Sequence, residues 1–273
     1  MVKVIWTGAA GLQITNKDRT YLVDPYYSRP SKFEMFLKRP ICKTEVVSER
    51  VRQLPGELTA MILGHTHIDH ALDVPAIMRD IDIPLVGSQS LETLMAMHGQ
   101  PGRVTVCEGG ERVELPGDVA VTMIRSLHGL VLFGRVPFAG EIDSSLSLPL
   151  KTSDYKHGTV FTPKIEIGGV VFMHLGSDNM IESELEGHEC DVLFMGVPGW
   201  NRIPDFPDRL LDIVKPEVII PFHYDDFSAK LTKMGTAPTL PLIDMEGCLA
   251  RTKKTLPGAK FRHFDEINTT LDF

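Results

Sequence analysis

The sequence has little with which to hold a polyanion or to span a bilayer. Its 28 lysines and arginines are outnumbered by 36 aspartates and glutamates, a formal charge of −8. The densest basic runs are Arg251 with Lys253 and Lys254, and Lys38, Arg39 and Lys43. Nucleic-acid affinity is built from many cations neutralising phosphates, so no nucleic-acid partner is expected. No apolar run approaches the roughly 20 residues of a bilayer span, and stable membrane insertion is not expected. The opening MVKVIWTGAAGLQIT has no long apolar core of the signal-peptide kind and passes into the polar NKDR, so a cytoplasmic location is the expectation. The four cysteines, Cys42, Cys107, Cys190 and Cys248, show no CxxC spacing. Neither a thiolate zinc site nor a disulfide scaffold is therefore indicated. There is no repeat of solenoid period. Nothing in the sequence fixes the oligomeric state, and a homo-oligomer stays open.

What is present suffices for a full core. The 273 residues are 43% hydrophobic, and the 23 glycines and 19 prolines are scattered between apolar runs as turns. Three short strand-like runs open the chain, Val2 to Trp6, Leu12 to Thr15 and Thr20 to Val23, and Asp24-Pro25 ends them because proline cannot continue a ladder. Residues 26–58 read as an irregular excursion with a short helix around Glu49 to Leu54. From Thr59 the pattern is β-α-β: TAMILG a strand, ALDVPAIMRD a helix, IPLVGS a strand, SLETLMAMHG a helix. Strand runs VTVCEG, ERVEL and VAVTMIRS follow, then an insertion from Gly129 to Lys156 without a readable pattern. A second half continues with KIEIGG, VVFMHLGSD, the helix MIESELEG, DVLFMGV, the helix FPDRLLDIVKP, EVIIPFHYDD and a helix near Glu246 to Leu256. Two β-rich halves, each backed by helices, predict an α/β fold, a four-layer αβ/βα sandwich, in one domain over residues 1–273 with the halves meeting near 125–160.

The chemistry is concentrated in Gly64-His65-Thr66-His67-Ile68-Asp69-His70, between the strand TAMILG and the helix starting near Ala71. Three imidazoles and a carboxylate so close together each need a partner, and metal ligation satisfies them together. His65 and His67 are two apart, so in extended backbone they project to one side and can grip one ion. Asp69 and His70 lie at the bend, where they can turn to a second. Nitrogen and oxygen ligands without thiolate suit zinc, manganese or iron. Placement at the end of an apolar strand selects further ligands: His128 for the first ion, Asp178 as a bridge and His223 for the second. His174 falls inside a strand and reads as a supporting or core histidine hydrogen-bonded near Asp178. His98, His157, His188 and His263 read as surface or local hydrogen-bonding residues.

On these residues the chain resembles the metallo-β-lactamase superfamily, whose five motifs occur here in order over essentially the whole length. Asp24 in LVDP is similar to the first motif, a buried aspartate that orients the ligand loop. His65, His67, Asp69 and His70 match the second motif, His128 the third, Asp178 the fourth and His223 the fifth. The fourth reads Gly176-Ser177-Asp178, where the family more commonly has a Gly-Asp pair. VIWTGAAGLQI, LVDPYYSRP and PFHYDDF resemble most the ascorbate-6-phosphate lactonase-like branch of metal-dependent hydrolases, to which an N-acyl-phosphatidylethanolamine phospholipase D is related. The resemblance implies the metallo-β-lactamase fold and two divalent ions; it admits manganese, while the ligand set alone favours zinc.

Metal coordination lowers the pKa of water from 15.7 to about 7, so a bridging hydroxide would be the nucleophile, with Asp69 as the catalytic carboxylate that holds it and moves a proton to the leaving group. The expected partner is a small-molecule substrate, an anionic ester or lactone, recognised by Arg135, Lys151, Lys156 or Lys164 in or beside the insertion. The sequence names no substrate-binding residue beyond these candidates. The alternative is a phosphodiesterase acting on a phospholipid or a nucleotide; lipid action would need an apolar entrance, for which Leu130 to Phe138 is the candidate. A redox diiron protein of the same fold is disfavoured, because such members resemble HxExD and this chain has His67 in the middle position.

Overall fold

The alternation that opens the chain becomes three antiparallel strands, β1 (Val2–Gly8), β2 (Gly11–Asn16) and β3 (Arg19–Val23). The computed structural model describes residues 1–131, 133–230, 238–241, 243–264 and 266–273, so Leu132 of the insertion lies outside the described residues. After Pro25 come helices α1 (Lys32–Leu37) and α2 (Thr44–Arg52). Strand β4 (Glu57–Ile62) then pairs in parallel with β3. Helices α3 (Ile68–Ala71) and α4 (Val74–Ile77) lead to β5 (Leu85–Gly87), and α5 (Gln89–Met97) leads to β6 (Val104–Val106), both strands parallel.

The second sheet begins with antiparallel β7 (Arg112–Leu115), β8 (Val119–Ser126), β9 (Val160–Ile167) and β10 (Val170–Leu175). It continues in parallel through α6 (Glu182–Leu185), β11 (Val192–Gly196), α7 (Asp208–Val214), β12 (Val218–Phe222), α8 (Met245–Thr255) and β13 (Lys260–Phe261). Strand β14 (Thr270–Asp272) returns to the first sheet beside β1. The sheet orders are β14-β1-β2-β3-β4-β5-β6 and β13-β12-β11-β10-β9-β8-β7.

Three apolar layers hold this together. Val4, Trp6, Leu12 and Ile14 of the first sheet pack with Val121, Met123, Phe172 and Phe194 of the second. The opposite face of the first sheet packs Leu22, Met61 and Leu85 against Val47, Ile68, Ile77 and Leu91 of its helices. The opposite face of the second packs Leu193, Met195 and Ile219 against Leu185, Leu210, Leu211 and Cys248. Along β11, Val192 and Phe194 face the other sheet while Leu193 and Met195 face the helices, the period of two that a strand buried on both faces requires. The fold is the four-layer αβ/βα sandwich expected from the sequence.

Three expectations need correction. The chain leaves the first sheet between Val106 and Arg112, not near 125–160, because β8 and β9 form one seven-pair antiparallel ladder and the insertion loops out between them. The stretch 71–80 is not one helix: Pro75 in the first turn of α4 lacks an N–H and conflicts with the Ala71 carbonyl, so α3 stops at one turn. The excursion after Pro25 is more ordered than expected, since α1 carries a capping box in which Ser31 accepts from Glu34 N and Glu34 accepts from Ser31 N. Among the described residues no helix is long and apolar enough to cross a membrane.

Candidate metal centre

The register Val23↔Ile62 brings the ends of β3 and β4 together, so Asp24 leaves the sheet beside the histidine-bearing turn. Asp24 is fully buried with φ +45°, and its Oδ1 accepts a 2.8 Å hydrogen bond from Gly64 N. A Cβ on Gly64 would sit 3.2 Å from the other oxygen of Asp24, which leaves little room for any residue but glycine. Oδ2 faces His70 Nδ1 at 2.9 Å. Strand β4 ends at Ile62, His67 is the N-cap of α3 with extended dihedrals (φ −61°, ψ 159°), and Asp69 and His70 lie in the single turn of α3. The motif is therefore split between extended and helical backbone, and its side chains diverge into two groups.

His65, His67 and His128 form the first group; Asp69, His70 and His223 form the second. His65 Nε2 and His67 Nδ1 are 3.2 Å apart. His67 Nε2 lies 3.1 Å from the Pro137 carbonyl and His128 Nδ1 lies 2.9 Å from the Gly129 carbonyl. A carbonyl only accepts, so those nitrogens carry the protons, and His67 Nδ1 and His128 Nε2 are left with lone pairs. In the second group Asp69 Oδ2 lies 3.3 Å from His223 Nε2 and 3.6 Å from His70 Nε2. Tetrahedral ligands about 2.0–2.1 Å from an ion are roughly 3.3 Å from one another, so these spacings fit metal ligation in each group. The groups adjoin where the His65 and His70 rings approach with centroids 3.7 Å apart.

Electrostatics prepares the ligands. Burial, reinforced by neighbouring imidazoles, holds His65 and His67 far below the ordinary histidine range, and burial brings His128 down to about 4. These rings are neutral near pH 7, the state that binds a metal. Burial pulls His70 down as well, but Asp24 and then Asp69 outweigh it and its pKa is raised. Burial pushes Asp69 up, yet His70 and His223 prevail, keeping it an anion well below the usual carboxylate range.

Six of the seven expected ligands thus fall into the two groups; Asp178 belongs to neither, though it lines the cavity that both groups face. Its carboxylate lies close against backbone: a Cβ on Gly129 would collide with Oδ1, and one on Gly199 would lie 3.0 Å from Oδ2. Oδ2 has no hydrogen-bond partner among the described residues, and burial lifts the pKa of Asp178 to about 8. Strand β10 stops at Leu175, so the side chains after it are no longer fixed by the pleat; Ser177 instead accepts from Gly129 N at 2.8 Å. His174, expected near Asp178, instead places Nε2 2.8 Å from the Ala10 carbonyl and Nδ1 3.8 Å from Asp24.

His223 has φ +61° and follows β12 directly. Its loop is fixed by Asp225, which accepts from Ala9 N at 2.9 Å and pairs with Arg29 at 2.7 Å, both side chains buried. Sequence reasoning missed this pair, and it missed His157, whose ring centroid is 5.8 Å from His67 and 6.1 Å from His128. His157 sits outside any strand end, so placement gave no signal for it. Both groups face a cavity of about 350 Å³ also lined by Lys32, Met35, Phe36, Val131, Phe138 and Phe227. Arg135, Lys151, Lys156 and Lys164 do not line it.

A profile of the Beta-lactamase superfamily domain matches residues 3–223, and the chain belongs to this family. It is 23% identical over 233 residues to a UPF0173 metal-dependent hydrolase of Polynucleobacter asymbioticus, covering 82% of this chain and 74% of that one. Among solved structures it is similar to Igni18, a metallo hydrolase from Ignicoccus hospitalis, with TM-score 0.61 and 15% identity over 100% of this chain and 99% of that one. It is also similar to CmlA, a diiron beta-hydroxylase from Streptomyces venezuelae, with TM-score 0.59 and 13% identity over 100% of this chain and 54% of that one. These likenesses establish the metallo-β-lactamase fold.

Proposed function

We propose that the protein is a metal-dependent hydrolase of lactonase-like type, holding two divalent ions, zinc first and manganese second, and opening a small ester or lactone. The carrying observation is the pair of adjoining three-ligand groups at one cavity, since three protein ligands with an open position is the pattern of catalytic metal sites. The hydrolase naming of the Polynucleobacter relative supports the same reading. His65, His67 and His128 would hold one ion and Asp69, His70 and His223 the other. Bound ions supply the Lewis acidity that makes water a nucleophile near neutral pH and polarises the substrate carbonyl.

The chain's own residues set up the rest. Asp69, kept anionic by His70 and His223, accepts a proton from the attacking water and returns it to the leaving alkoxide. One water is consumed: the acyl C–O bond breaks, the acid retains the water oxygen, and the alcohol leaves with the proton. Asp24 fixes the His70 ring from the side away from Asp69. The anionic substrate expected from the sequence has no support among the described residues of the cavity wall, whose lone lysine or arginine, Lys32, is paired with Asp226 at 2.7 Å.

Elemental analysis of the purified protein tests the proposal. About two ions per chain are expected, falling to about one in His65→Ala and in His223→Ala, with ester hydrolysis lost in both. A chain that holds no metal after incubation with zinc or manganese would refute it.

A further inference from the structure

The cavity that serves both ligand groups is walled by apolar side chains, and this wall continues outward onto the surface. Phe138 stands against the first group, its ring centroid 6.2 Å from His67, and Phe227 against the second, 6.2 Å from His223. Met35, Phe36, Val131 and Pro137 line the same space. Phe36 is at once a lining residue and 72% exposed, so it stands at the mouth. Phe33 and Leu37 lie three residues before it and one after it on α1, at 57% and 74% exposure, and Phe133 on the insertion is 90% exposed. A phenylalanine left this open at the mouth of the cavity, as Phe36 is, calls for an apolar occupant, because covering it removes unfavourable hydration.

Charge argues for the same occupant. The lining cation, Lys32, already has Asp226 as its partner, and the protein as a whole is acidic. Among the described residues an anionic substrate would meet no uncommitted lysine or arginine at the wall. We infer that the cleft takes an ester with an apolar arm, an alkyl or aryl acyl group that lies along Phe36, Val131 and Phe138 while its carbonyl reaches the ligand groups. The inference rests on the hydrolase reading above and adds the substrate class. Longer arms extend from the cavity over Phe36 toward Phe33 and Leu37.

The test uses the metal-loaded protein with p-nitrophenyl acetate, butyrate, hexanoate and octanoate, together with calorimetric binding of octanol, which has the arm and no bond to cleave. Expected is a rise in kcat/KM of about 10-fold or more from acetate to octanoate, carried by a falling KM. Phe36→Ser is expected to raise KM for the octanoate about 10-fold and to weaken octanol binding similarly. Phe138→Ala serves as a second variant on a separate segment. Rates that do not depend on arm length, with no octanol binding, would overturn the apolar-arm assignment and leave the hydrolase reading standing. Octanol binding that depends on Phe36, in a protein that cleaves none of the esters, would support the apolar cleft and count against the hydrolase reading. A dimer in sedimentation that Phe36→Ser converts to monomer would assign the exposed face to a second copy of the chain and overturn the inference.

Discussion

At Asp24 one buried carboxylate serves two backbone segments: Oδ1 holds the Gly64 N–H and Oδ2 faces His70 Nδ1. Asp24→Asn keeps an oxygen for Gly64 and removes the charge opposite His70. Metal affinity at the second group should fall about 10–100-fold while the first group keeps its ion, a split that chelator competition resolves. Equal weakening of both would contradict the orienting role. Asp178 poses the opposite case, an acid buried without a cation at hydrogen-bonding distance. Its pKa is about 8 in the fold against an ordinary 3.8, so the native state holds a proton that the unfolded chain has lost. Stability contributed here is present below the lower value and lost as pH rises toward the upper one, with a limiting slope of about 1.4 kcal/mol per pH unit. In metal-free protein, Asp178→Asn should therefore gain on the parent between pH 5 and pH 8 in urea titrations; parallel curves would show that the carboxyl is not held protonated. The sequence placed Asp178 after the right strand, but it lies three residues past the end of β10, where the side-chain direction depends on the turn.

Among the elements, those that announce themselves by period or by chemistry were legible. The buried strands and the HxHxDH turn were found because apolar runs and clustered imidazoles are dense local signals. Strands β13 and β14, two and three residues long, were not, since pairing across the sheet defines them and no local pattern does. Helix α1 is short, yet its Ser31-x-x-Glu34 box was a readable start signal. That box has a measurable function: Ser31→Ala removes one cap and should cost about 1 kcal/mol, loosening α1. Faster amide exchange at residues 32–37, with exchange in β11 unchanged, is the expected signature. The passage from one sheet to the other was illegible, because strands of both sheets carry the same apolar composition.

At the scale of the molecule, the site straddles two sheets, and Arg29–Asp225 is a polar tie between them. Arg29 belongs to the loop after β3, and Asp225 to the loop that carries His223. Removing one partner of a buried pair strands the other charge, so Arg29→Met should cost about 3–5 kcal/mol. Replacing both, Arg29→Met with Asp225→Leu, should recover part of that loss in denaturant titrations, though Ala9 N then lacks its acceptor. A double variant no more stable than the single would deny that stranded charge is the cause.

The pairing of β14 with β1 has a consequence for how the chain folds. Phe273 N donates to Val2 O and Val2 N to Phe273 O, so residues far apart in sequence close the same sheet edge. Until β14 docks, β1 presents an unpaired rim of amides and carbonyls next to a nearly finished sheet. Such long sequence separation delays closure in folding, and until then that rim stays open to other strands.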